Sequence, residues 1–172
     1  MTTLEPLLPD QFELVARWLS KPAINRWLTP DWRNKEASSS MLAIASRNRR
    51  NRLFLVRYNQ EPCGLAALAD IETADRTAMV WYLLGEETLA GRGITSAAVR
   101  QLARIAFEEL ELASIYAWTM DDNVASQRVL GHAGFQIAGC LRNSVRSEER
   151  QLNRIYFDLI PGEIPAEADP AR

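Results

Sequence analysis

The stretch LAGRGITSAAV, residues 89–99, sets Gly91 and Gly93 around Arg92 and then turns amphipathic. Glycine lets a backbone approach a ligand closely, and a helix start offers unpaired N–H groups with a partial positive charge. Read from the residues alone, this is either an anion site, most naturally for phosphate, or a plain strand-to-helix turn. A Walker loop needs lysine after the last glycine, whereas Ile94 and Thr95 follow Gly93. A dinucleotide fingerprint needs a third glycine at the helix and a domain that opens with parallel strands; here the loop comes mid-chain, after antiparallel hairpins.

Other residue types narrow the chemistry by what they leave out. The single histidine, His132, falls near the end of a short helix, where a cation suits the dipole. Cys63 and Cys140 lie far apart with no metal-ligand spacing. Zinc sites and Ser-His or Cys-His triads need more than this, so the expected chemistry uses no metal and no histidine base. Two such cysteines give no disulfide framework, and a cytoplasmic location is the default. A net charge of −2 gives no field for gripping nucleic acid. No apolar run approaches the ~20 residues of a membrane span, and MTTLEPLLPDQ lacks the form of a signal peptide.

The elements that must position the loop follow from periodicity. TTLEPL reads as a short strand, and PDQFELVARWLS as a helix burying Phe12, Val15, Trp18 and Leu19. PAINRWLTPDW is aromatic and proline-punctuated, and NKEASSSMLAIASRNRR, residues 34–50, reads as a second helix. RLFLVRY and CGLAALADI form a hairpin across NQEP, and TAMVWYLLG is a third strand. After the glycine loop, residues 94–110 carry Ile94, Ala97, Ala98, Leu102, Ile105, Ala106 and Leu110 at helical spacing. SIYAWTM is a strand, NVASQRVLGHA a short helix closed by Gly134, and FQIAGCL and LNRIYFDLI are final strands. Helices, then a meander, then β-α-β-α-β, predict an α+β domain with a mixed sheet and helices on both faces. It is expected to span residues 1–162, with residues 163–172 trailing off disordered because they hold nothing periodic to bury.

WYLLGEETLAGRGITSAAVRQLARIAFEEL, followed by IYAWTMDDNVASQRVLGHAGFQIAGCLRN, resembles the GNAT family of acetyl-CoA-dependent N-acetyltransferases. The spacing is similar to the branch holding ribosomal-protein N-terminal acetyltransferases and their small-amine relatives. That family's loop, Gln/Arg-x-x-Gly-x-Gly/Ala, falls on Ala90 to Thr95, and its second signature matches Asn123, Ser126, Gly134 and Phe135. The likeness covers residues 52–160 well and implies a GNAT-like, mostly antiparallel central sheet.

The resemblance implies that N–H groups of Gly91, Arg92, Gly93, Ile94 and Thr95 hold the pyrophosphate of acetyl-CoA, with hydroxyl help from Thr95 and Ser96 and charge from Arg92. Ala90 departs from the family's Gln or Arg and removes a side-chain contact only. Oxyanion donors are expected on the strand before the loop, around Leu83, Leu84 and Gly85, where a strand-ending glycine fits a bulge or close ligand approach. Asn123 reads as an N-cap that also contacts the pantetheine or thiol region. Leu130 stands where many members carry a tyrosine acid, which leaves Ser126 or a water to protonate the thiolate. Met79 stands where the branch often has a glutamate base. Asp70 and Glu72, two apart and therefore on one face of a strand, are the candidate bases, with Glu86 and water as alternatives.

In the family the N-terminal helices form much of the acceptor groove. Trp18, Trp27 and Trp32 are expected to be mostly core, with Trp27 or Trp32 lining the pocket beside Pro30. Arg142 and Arg146 would face either an acidic acceptor or solvent. The implied reaction is direct attack of a primary amine, on a small molecule or a protein N-terminus, with no acyl-enzyme; a homodimer is compatible with it. The missing tyrosine and glutamate leave a second reading, a non-catalytic acetyl-CoA-binding sensor or regulatory module.

Overall fold

The computed structural model describes residues 1–30, 32–33, 35–147 and 150–166. The strands are β1 (Thr2–Pro6), β2 (Arg52–Tyr58), β3 (Glu61–Glu72), β4 (Thr77–Leu84), β5 (Ser114–Met120), β6 (Gln136–Ser147) and β7 (Arg150–Leu159). They form one sheet in the order β1-β2-β3-β4-β5-β7-β6. Every neighbouring pair is antiparallel except β4 and β5, which run parallel. The helices are α1 (Phe12–Ser20), α2 (Pro22–Asn25), α3 (Ser39–Arg47), α4 (Ile94–Arg104) and α5 (Val124–His132).

β3 explains why CGLAALADI reads as an unbroken apolar run. Its Leu65 and Ala67 join Val15, Trp18 and Leu19 of α1 and Leu42 of α3 in one core, while Ala66 and Leu68 join Ala98, Leu102 and Ala103 of α4 in another. A strand covered on both faces needs apolar residues at every position rather than every second one. Helices therefore cover both sheet faces, as the sequence predicts.

Two helices are shorter than their apolar patterns suggest. α3 begins late because Ser38 caps it, its Oγ accepting from the Met41 N–H at 3.3 Å. α4 passes at Ile105 into a π-helical turn, Ile105–Glu109, with the Leu110 N–H bonded to the Ile105 carbonyl at 3.1 Å. The chain end also differs from its compositional reading. The Glu163 carboxylate accepts from Gln136 at 2.7 Å, Ile164 packs against the larger core, and Pro165 lies over Gly134, where a Cβ would meet it at 2.6 Å. Composition missed this because one isoleucine and one proline suffice to dock four residues. Residues 167–172 of the expected tail fall outside the described residues.

Candidate active site

The site begins where the parallel pair comes apart. β4 and β5 pair only from Thr77 to Met79 against Ser114 to Tyr116. The Gly85 N–H donates to the Cys63 carbonyl at 2.7 Å, toward β3. Strand alternation then turns the N–H groups of Leu84 and Tyr82 to the opposite edge, into the opening beside β5, and the Leu83 N–H back toward β3. Of the three expected oxyanion donors, only Leu84 aims its amide into the gap.

Gly85 has a different purpose from the one its position suggested. A Cβ there would sit 2.2 Å from the Trp18 ring, and its carbonyl accepts from Lys21 Nζ at 2.6 Å. The glycine makes room for a core tryptophan rather than for a ligand, and Gly85 does not line the cleft. Gly85→Ala should cost about 2–3 kcal/mol, since the ring is locked in the core and overpacking of that kind costs about this much. Chemical denaturation checks this; a loss below about 0.5 kcal/mol would mean that Trp18 yields.

At the far end of β4 lies the glycine loop. Gly91 and Gly93 have φ of +77° and +72°, the left-handed region where glycine is unstrained, and a Cβ on either would meet nothing within 4 Å. Gly93 is the N-cap of α4, and its carbonyl accepts from the Ala97 N–H at 3.0 Å. Among the described residues, no protein acceptor takes the N–H groups of Gly91 through Ser96. Six consecutive donors and a helix dipole thus face open space, the chemistry of a diphosphate cradle.

α5 brings the second motif to the same opening. Asn123 Oδ1 accepts from the Ser126 N–H at 3.2 Å, so the asparagine is an N-cap. Ser126 Oγ lies 2.8 Å from the Tyr82 hydroxyl, which is also 3.1 Å from the Ser126 carbonyl. Burial pushes the Tyr82 phenol well above its ordinary value, against a smaller opposing effect of the Ser126 hydrogen bond. Tyr82 was missed from sequence. The period of two from Ala78 and Val80, both buried toward α4, is the signal that places it on the α4–α5 side.

One cleft of about 1300 Å³ joins these features. It runs from the loop residues Gly91–Ser96 past Leu83, Leu84, Asn123, Tyr82 and Ser126 to an acceptor end walled by Trp27, Trp32, Trp81 and Trp118. Trp32 and Trp81 meet at 6.4 Å between ring centroids. Trp18 is fully core, and Leu130 is buried.

The acids separate. Asp70 lines the cleft, but Glu72 does not. β3 breaks register against β4 between Ala69 and Glu72, and Asp70 adopts a φ of +50°, so the two no longer share a face. Glu72 instead accepts from the Ala74 N–H at 3.1 Å and lies 3.9 Å from Arg50. Glu86 accepts from Trp18 Nε1 at 2.9 Å and also stays outside the cleft. Arg142 and Arg146 are exposed away from it, and the cation that reaches the acceptor end is Arg154.

A family model described as an acetyltransferase (GNAT) domain matches residues 2–136. YdaF of Bacillus subtilis, which carries the name of a ribosomal N-acetyltransferase, is 25% identical over 167 residues, covering 93% of this chain and 85% of that protein. Among solved structures, Mycobacterium smegmatis RimJ in complex with CoA-disulfide superposes with a TM-score of 0.80 at 22% identity, over 96% of this chain and 84% of that one. Spermidine N-acetyltransferase from Vibrio cholerae, in complex with CoA and spermine, gives 0.83 at 18% identity, over 94% and 96%.

Proposed function

The chain belongs to the acetyltransferase (GNAT) family, whose donor is acetyl-CoA, and on that premise we propose that it acetylates a primary amine by direct attack within a ternary complex. The observation that carries this reading is the continuous cleft from the open amides of Gly91–Ser96 to Ser126, Tyr82 and Asp70.

Acetyl-CoA supplies a thioester carbon already activated toward nitrogen. The protein's own part is positioning and charge. The N–H groups of Gly91 through Ser96 hold the diphosphate, and Arg92, Thr95 and Ser96 lie beside it. The Leu84 N–H, freed where β4 leaves β5, donates to the carbonyl oxygen as negative charge develops there. Asn123 fixes the start of α5 and with it Ser126, whose hydroxyl donates to the departing sulfur. Asp70 accepts the proton released by the attacking amine, directly or through water. Trp27 and Trp32 wall the acceptor, a small amine or a protein N-terminus. Holding both reactants in line accounts for most of the rate, as expected for a reaction without a covalent enzyme intermediate.

The test is thiol release from acetyl-CoA over a panel of amines, beside a melting assay with CoA, ATP and NAD. Turnover on at least one amine and stabilisation by CoA above the other two are expected. Stabilisation by acetyl-CoA with no release on any amine, at any pH, would favour the sensor reading, for which Leu130 and Met79 are the supporting residues. Asp70→Asn should lower kcat/KM by about 100-fold, within the range for a general base. A loss under threefold would hand the proton to solvent and retire Asp70 from the reaction.

A further inference from the structure

Resting on the acetyl-transfer reading, we propose that Arg154 and Trp118 form an anion-binding arm of the acceptor site, so that the acceptor is a small amine bearing a carboxylate or phosphate. β7 lies between β5 and β6, and Arg154 stands opposite Met120, two residues beyond Trp118 on β5. Cross-strand partners share a face, so Arg154 and Trp118 point to the same side of the sheet. The guanidinium carbon sits 4.4 Å from the Trp118 ring centroid, and both residues line the acceptor end of the cleft. Stacking fixes the plane of the guanidinium and leaves its edge for a ligand.

Arg154 Nε is buried and has no hydrogen-bond partner. Arg150, four positions earlier on the same strand, is paired with Asp122 at 3.7 Å. Among the described residues no acid lies within 4.0 Å of Arg154. The carboxylates of the turn after β5 are each held through Oδ2, Asp121 by Asn153 Nδ2 at 2.7 Å and Asp122 by Arg150, their buried Oδ1 atoms take no partner among the described residues, and neither residue lines the cleft. A structural arginine normally finds acceptors for its buried N–H groups. Arg154 is stacked, its buried Nε is unsatisfied by the protein, and its Nη atoms take no partner among the described residues, so the fork at the cleft suits two oxygens of a carboxylate or phosphate. Asp70 lines the same cleft to meet the amine, so the site addresses both charges of such a molecule.

Matched acceptors test this: 2-aminoethyl phosphate against ethanolamine, and an α-amino acid against its methyl ester. Wild-type kcat/KM is expected to favour the anionic member of a pair by about tenfold or more, a modest value for a charge-assisted contact. Arg154→Met, which keeps the stem on Trp118, should bring that preference to within about twofold while leaving the KM for acetyl-CoA unchanged. Arg154→Lys should fall between, keeping charge and losing the fork. In parallel, calorimetry on the CoA-loaded protein with 2-aminoethyl phosphate should show binding that Arg154→Met abolishes, with both variants melting within a few degrees of wild type. Equal turnover of charged and neutral members, or equal calorimetric affinity for wild type and Arg154→Met, would overturn the anion arm and leave acetyl transfer intact. Arg154-dependent binding without thiol release from any amine would support the arm and overturn the transfer reading.

Discussion

Gly93→Asp is expected to weaken CoA binding at least 100-fold by calorimetry while lowering the melting temperature by no more than about 4 °C. Gly93 is the N-cap of α4 at φ +72°, and a Cβ added there meets no protein atom within 4 Å. The folded chain therefore has room for the side chain. The backbone cost is that of a left-handed residue, roughly 1–2 kcal/mol and least for Asp and Asn, and a carboxylate at a helix start offsets part of it through the dipole. A net cost near 1 kcal/mol corresponds to about 2–4 °C in a chain of this size. Binding has no such relief. The carboxylate enters the space that Gly91–Ser96 leave for a diphosphate, and it competes for the same N–H donors. Loss of two charge-assisted hydrogen bonds at about 1.5–3 kcal/mol each gives two to four orders of magnitude. Unchanged affinity would remove the loop from the site, since nothing else in the fold would hold the anion there.

The shape of this loop was readable from its residues because it is set by the backbone, whereas its assignment to a diphosphate came from the family resemblance. A chain that turns through positive φ twice within three residues and exposes its amides favours glycine there, and the helix after it shows its period. Asn123 was legible as an N-cap for the same local reason, while the parts given to Asn123 and Ser126 in the site came from the family resemblance. What sequence misplaced depends on contacts between distant segments. Asp70 and Glu72 share a face only on a regular strand, and a bulge between them sends one to the cleft and the other to Arg50. Gly85 looks like a ligand-approach glycine until Trp18, 67 positions earlier, is seen to fill the space above it. Arg154 and Trp118 sit on different strands with no spacing rule between them, so their stacking becomes visible only once β7 lies beside β5.

Ser126→Ala should reduce kcat by about 100-fold with the KM for acetyl-CoA held within about threefold, the pattern of a group whose hydrogen bond forms mainly as the sulfur departs. Tyr82→Phe should cost less, about fivefold, and only when Ser126 is present; this couples the two hydroxyls as neighbours in one network. The reason is proton counting. Each hydroxyl has one hydrogen, and Tyr82 lies 3.1 Å from the Ser126 carbonyl and 2.8 Å from Ser126 Oγ. If Tyr82 donates to the carbonyl, Ser126 can spend its hydrogen on Tyr82. If Tyr82 donates to Oγ, the serine hydrogen is free for sulfur, so the phenol can switch its donation as the thiolate forms. Burial raises the Tyr82 phenol above its usual range, which keeps it protonated across the working pH. Wild type and Tyr82→Phe should therefore show the same pH dependence of kcat below about pH 9, under the ordinary tyrosine value. Single losses that simply add in the double variant would make Tyr82 an independent contact. A Ser126→Ala enzyme with normal kcat and raised KM would make the serine a binding residue alone, leaving the departing thiolate to solvent.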